Sequence, residues 1–157
     1  MPRVPILRIA LLAAFAAATP ARAQPGTLTV GETGELALTE ADPAGEERGR
    51  VKVFRIHAAE GQRLIVTMRS TDFDAYLRLM QEVDGVTEEL ADDDDGAGDT
   101  NARIRFTVLR AGTYLLFAQS LAADGLGAFT LSLQESAAPG TVGPRPLAIG
   151  ETLQGAL

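Results

Sequence analysis

Between Ser70 and Asn101 the chain gathers Asp72, Asp74, Asp92, Asp93, Asp94, Asp95 and Asp99, and closes the set with the amide of Asn101. Carboxylates crowded this closely repel one another, so the segment needs open solvent or a bound cation. Calcium takes about six to eight hard oxygen ligands at flexible geometry. Asp72, Asp74, the Asp92–Asp95 run, Asp99 and Asn101 therefore form a candidate calcium site. The spacing is not that of an EF-hand: with Gly96 at the sixth position, the twelfth is Ala102 where a glutamate is required. Gly96-Ala97-Gly98-Asp99 does not recur as calcium-binding nonapeptides do. The alternative is structural. Asp72 then caps a turn, Asp74 accepts backbone N–H bonds, and the aspartate run is a solvated loop.

Other chemistry has little to work with. His57 is the only histidine, which starves a histidine metal site or a catalytic triad. Ser70, Ser120, Ser132 and Ser136 lack a Gly-x-Ser-x-Gly elbow, and Ser70-Thr71-Asp72 reads as an ST or Asx turn. The absence of cysteine excludes disulfides, thiolate zinc sites and thiol catalysis. Glu46-Glu47 and Glu88-Glu89 could pair as acid and base, but nothing sets two carboxylates across an apolar cleft. Gly96-Ala97-Gly98 is followed by Asp instead of Lys, so there is no phosphate loop. There is no tryptophan for a sugar platform, and the seven phenylalanines and tyrosines of interest fall mostly on strands, as core. The chain is expected to be no enzyme.

Short runs with period-two alternation must position these residues. Ile104-Arg105-Phe106-Thr107-Val108 and Phe129-Thr130-Leu131-Ser132-Leu133 each present one apolar face. Strands are predicted at Thr27–Val30, Gly34–Thr39, Val51–Ala58, Arg63–Arg69, Ala75–Met80, Arg103–Leu109, Thr113–Gln119 and Ala128–Gln134, with a weaker one at Val86–Leu90. Gly61 and Gly112 mark tight turns. No window outside the N-terminus keeps helical periodicity for three turns. The predicted fold is all-β: an antiparallel, jelly-roll-like β-sandwich.

The order "S-x-DFD-x-YL-x-L" from Ser70, "A-x-DDDG…N-x-R-x-x-FT" through Thr107, "AGTY" at Ala111 and "G-x-G-x-F-T-L-S-L" ending at Leu133 resembles the bacterial pre-peptidase C-terminal domain family. The resemblance covers roughly Thr27–Gln134, and rests on several weak motifs in the right order. It implies a secreted, non-catalytic β-sandwich of the kind appended to extracellular proteases and other exported enzymes. Some relatives, such as the collagen-binding domains of secreted collagenases, bind calcium. They draw ligands partly from a segment ahead of the first strand, and Gln24–Gly26 offers no clear equivalent.

The ends fit an exported protein. Residues 1–23 read as a signal peptide: Arg3 and Arg8, an apolar run from Ile9 to Ala18, and the small-x-small site Ala21-Arg22-Ala23. An uncleaved amphipathic anchor is the alternative. Of 14 basic residues, Arg3, Arg8 and Arg22 precede Gln24, while all 21 acids follow it, leaving a net −10. That acidity argues against nucleic acid or an anionic membrane as partner. Residues 24–136 are then one domain and 137–146 a Pro/Gly linker. Residues 147–157 repeat Leu28–Leu38 with six of eleven positions identical, as the start of a truncated second repeat. A generic hairpin that arose twice is the alternative. The expected product is a secreted or periplasmic accessory module, calcium-stabilised or not, serving a secreted protease or another exported enzyme, or an extracellular polymer. The other reading is a structural spacer or folding and secretion aid without a ligand of its own.

Overall fold

The structure, a computed structural model, describes residues 25–45 and 48–137. The signal peptide, the truncated repeat and all of the linker except Ala137 lie outside the described residues. Nine strands fill the described part: β1 (Gly26–Thr27), β2 (Thr33–Leu38), β3 (Val51–Ala58), β4 (Arg63–Arg69), β5 (Ala75–Val83), β6 (Val86–Asp93), β7 (Ala102–Thr107), β8 (Gly112–Ser120) and β9 (Gly127–Glu135). They form two sheets, β1-β3-β8-β5-β6 and β2-β9-β4-β7. Every pairing is antiparallel except the short one between β1 and β3. The chain is an all-β sandwich.

Alternation decides which side of each strand faces the other sheet. Ile56 and Ala58, Leu64 to Met68 at every second position, Ala75 to Leu79 likewise, Leu116 and Ala118, and Leu131 and Leu133 meet in one core. Each such aliphatic side chain contributes ~1.5–3 kcal/mol on burial. Tyr114 is inward too, and donates its hydroxyl to the Arg110 carbonyl at 2.7 Å, so its polar end is satisfied. Its ring lies 5.7 Å from that of Phe106 in the facing sheet.

Two expected strands change. The first shrinks to Gly26–Thr27, because Thr29–Glu32 closes into a turn with Gly31 at φ 89°. The Glu32 carboxylate accepts the Thr29 N–H there. The weak strand at Val86–Leu90 instead runs on to Asp93, so Asp92 and Asp93 belong to a strand and not to the loop expected from sequence. Its partner β5 extends to Val83, and Asp84 (φ 53°) and Gly85 (φ 79°) make the two-residue turn between them. Two positive φ values in succession match a type I′ hairpin turn, for which Asp-Gly is favoured. The register slips between Leu79 and Met80, leaving Leu90 as a bulge in β6. β6 is the outer strand of its sheet, with Val86 68% and Leu90 44% exposed.

Candidate functional site

β4 leaves its ladder with β9 at Arg69, opposite Thr130. Beyond that point side chains carry the pairing onward. The Ser70 hydroxyl donates to the Ala128 carbonyl at 2.7 Å, while the Asp72 carboxylate accepts the Ala128 N–H at 2.7 Å. Both backbone groups of Ala128 are thus held by one turn. The Ser70 oxygen also accepts the N–H groups of Asp72 and Phe73, an ST turn of the kind expected from sequence. Ser70 N–H donates to the Asn101 side-chain oxygen at 3.0 Å, and the Asn101 amide donates to the Gly98 carbonyl. Phe73 packs edge-on against Phe129 at 6.1 Å. Gly127, at φ 134°, lies directly against Asp72, and a Cβ on Gly125 would come within 2.6 Å of Ser120 Cβ. The "DFD" and "G-x-G-x-F" motifs are therefore two halves of one joint.

The second acidic segment is equally occupied. Tyr76 donates its hydroxyl to Asp92 at 2.8 Å, and the Arg48 guanidinium stacks 4.3 Å from the Tyr76 ring centroid. Burial foremost, and then the hydrogen bond to Asp92, push the Tyr76 phenol above its ordinary value of 10.0. One oxygen of Asp93 accepts the N–H of Gly96 and that of Arg103, both at 2.7 Å. Asp93 thereby closes the turn that leads from β6 in one sheet to β7 in the other. A Cβ at Gly96 would sit 2.6 Å from the Asp93 carboxylate, so the close turn needs glycine.

The eight proposed calcium ligands thus divide. Asp72, Asp92, Asp93 and Asn101 already accept protein hydrogen bonds. The carboxylates of Asp74, Asp94, Asp95 and Asp99 make no hydrogen bond or ion pair among the described residues. Asp74 uses only its carbonyl, which accepts the Leu121 N–H at 2.8 Å. Asp99 sits in the left-handed region at φ 54°, after Gly98, at the head of the turn that Asn101 fastens. Among the described residues no three His, Asp or Glu side chains gather into a group able to hold a metal. His57 faces Thr113, with 3.0 Å between its Nδ1 and the hydroxyl, and has no acid as partner among the described residues.

Sequence reasoning missed two features. The Asp84-Gly85 hairpin was signalled by its dipeptide between two valines. A groove of about 540 Å³ runs past Glu35, Arg69, Thr71, Asn101 and Thr130, on the outer face of the four-stranded sheet. A smaller one, about 240 Å³, lies between Arg63 and Arg105 on the same face.

No protein-family model matches the chain, and no curated protein matches it. Solved structures do. The pre-peptidase C-terminal domain of a collagenase from Bacillus anthracis superposes with a TM-score of 0.53 at 14% identity, over 71% of this chain and 95% of that one. CorA, a surface-associated copper-binding protein of Methylomicrobium album BG8, gives 0.51 at 8% identity, over 71% and 98%. Likeness at these identities is a likeness of fold. The chain has the fold of a pre-peptidase C-terminal domain.

Proposed function

We propose that this protein is a non-catalytic binding module of the exported kind, an accessory domain that serves a secreted enzyme or attaches to an extracellular polymer. One observation carries the reading. Three of the acids that the sequence offers for chemistry are taken up by the protein's own groups: Asp72 by Ala128, Asp92 by Tyr76, and Asp93 by Gly96 and Arg103. A general acid–base pair needs carboxylates facing a shared cleft, and these face backbone amides and a phenol instead. The signal-like residues 1–23 support export, and among the described residues no helix is long and apolar enough to cross a membrane. The fold shared with a collagenase accessory domain supports a binding role.

Calcium is the finer part of the proposal. The carboxylates of Asp74, Asp94, Asp95 and Asp99, without hydrogen bonds among the described residues, are the ones on offer to it. A spacer or folding aid is the second reading, favoured by the repeat of Leu28–Leu38 at Leu147–Leu157. Pull-down of secreted enzymes and co-sedimentation with insoluble polymers separate the two. Retention that saturates supports the module; no retention, with lower export of a fused enzyme once the domain is deleted, supports the spacer. Turnover of protease or glycosidase substrates by the purified chain overturns both.

A further inference from the structure

The chain is strongly acidic, with a formal net charge of −7, yet one face carries the opposite sign. Arg63 and Arg69 lie on β4 and Arg103 and Arg105 on β7. All four alternate with inward residues (Leu64, Val66 and Met68; Ala102 and Ile104), so all four face out from the four-stranded sheet. β4 and β7 are paired neighbours, with Arg103 opposite Thr67 and Arg105 opposite Ile65. At ~3.3 Å per residue, Arg63 and Arg69 mark the ends of a strip roughly 20 Å long.

The strip is not neutralised. The ion pairs among the described residues are Lys52–Asp42 and Arg78–Glu89, and neither involves it. The Arg103 guanidinium donates to Thr67 Oγ1 at 3.3 Å, while the guanidinium groups of Arg63, Arg69 and Arg105 have no hydrogen-bond or ionic partner among the described residues. The one acid at an outward position of this sheet, Glu35 on β2, is separated from Arg69 by Thr130 on the intervening strand β9. Thr67 places a hydroxyl among the guanidinium groups, and Thr130 and Ser132 on β9 flank them with two more. The larger groove, about 540 Å³, ends at Arg69, and the smaller, about 240 Å³, lies between Arg63 and Arg105.

We infer that this face binds an acidic polysaccharide, with a carboxylate- or sulfate-bearing glycan chain laid along β4 and β7. The inference rests on the binding-module reading and names its ligand class. Guanidinium forks match planar oxyanions two bonds at a time, and hydroxyls suit sugar oxygens. Ile65 is the only large apolar side chain at an outward position of β4 and β7, and the phenylalanines that border the grooves, Phe106 and Phe129, sit at inward positions packed on the core, so no ring stands out from the sheet to insert into lipid or stack on bases. The acidic remainder of the molecule repels a broad anionic surface such as a bilayer or a duplex. A single glycan strand touches the strip alone.

The test uses the full mature chain and affinity electrophoresis through gels holding polygalacturonate, with neutral dextran as the comparison. Polygalacturonate should retard the chain and dextran should not, and about 0.5 M salt should abolish the effect by screening. Arg69→Gln with Arg105→Gln should weaken binding about tenfold per arginine removed, with an unchanged melting curve. Arg55→Gln, on the opposite sheet, should bind as the parent does. Equal retardation of the double variant, no retardation of the parent, or tighter binding to duplex DNA or phosphatidylglycerol vesicles overturns the inference. A chain that ignores polygalacturonate but is retained on another polymer or a secreted enzyme loses this inference and keeps the module reading. A chain retained on nothing loses both.

Discussion

The carboxylate of Asp72 accepts the backbone N–H of Ala128 at 2.7 Å, joining residues 56 positions apart at the point where β4 stops pairing with β9. This bond does the work of a ladder hydrogen bond with a side chain. Asp72→Ala removes this bond at an exposed site, where water takes the amide donor, and should cost about 0.5–1.5 kcal/mol. Asp72→Asn keeps an acceptor oxygen and should cost less. Urea unfolding of the two variants measures the difference.

Gly127 should be as demanding as its partner. Its φ of 134° disfavours any side chain, and a Cβ there would collide with Asp72. Gly127→Ala should therefore destabilise by more than ~1 kcal/mol. In a double-mutant cycle with Asp72→Gly the two losses should sum to more than the pair costs together, because the collision involves the Asp72 Cβ as well as its carboxylate and disappears only when both are gone. Strict additivity would show that the backbone angle alone sets the cost.

The free acids should behave in the opposite way. The carboxylates of Asp94, Asp95 and Asp99 make no hydrogen bonds among the described residues, so replacing all three with Asn should leave stability within about 0.5 kcal/mol per site, or raise it by relieving repulsion. If calcium binds the parent, its melting temperature rises with free calcium and the triple variant's does not. Differential scanning fluorimetry with calcium and with a chelator reads both outcomes.

Stability should fall at both ends of the pH scale for identifiable reasons. Burial acts to raise the Asp42 pKa, but hydrogen bonds from Lys52 and from the Thr39 N–H and hydroxyl outweigh it, so the carboxyl stays below its ordinary 3.8. A lowered folded-state value gives stability that is complete above 3.8 and is lost as pH drops below it. Tyr76 is the reverse: its raised value favours the protonated fold, so its contribution is complete below 10.0 and is lost as pH climbs above that. Tyr76→Phe should flatten the alkaline limb, and Asp42→Asn the acid limb, of a melting-temperature profile.

Much of the fold was legible. β3 and β4 fall at Val51–Ala58 and Arg63–Arg69 as expected, because a strand with one buried face writes that face into its sequence at every second residue. β6 was cut short at Leu90 because the aspartates that follow Ala91 read as a solvated loop, although Asp92 and Asp93 continue the strand. The acids were legible as a type but not in direction. Whether Asp93 faces solvent, an ion or a backbone amide depends on β7 arriving beside it, a contact between the two sheets that spacing cannot express. The outward arginines were likewise visible strand by strand, but only the pairing of β4 with β7 makes them one strip.

The outer position of β6 carries a cost of its own. An unpaired strand margin with Val86 and Leu90 in solvent would recruit a second copy of itself, were it not for its charges and its bulge. Glu88, Glu89, Asp92 and Asp93 lie along that strand. Replacing Glu88 with a neutral apolar residue should then let chains join through β6, as light scattering would show, and Leu90→Lys should keep them apart.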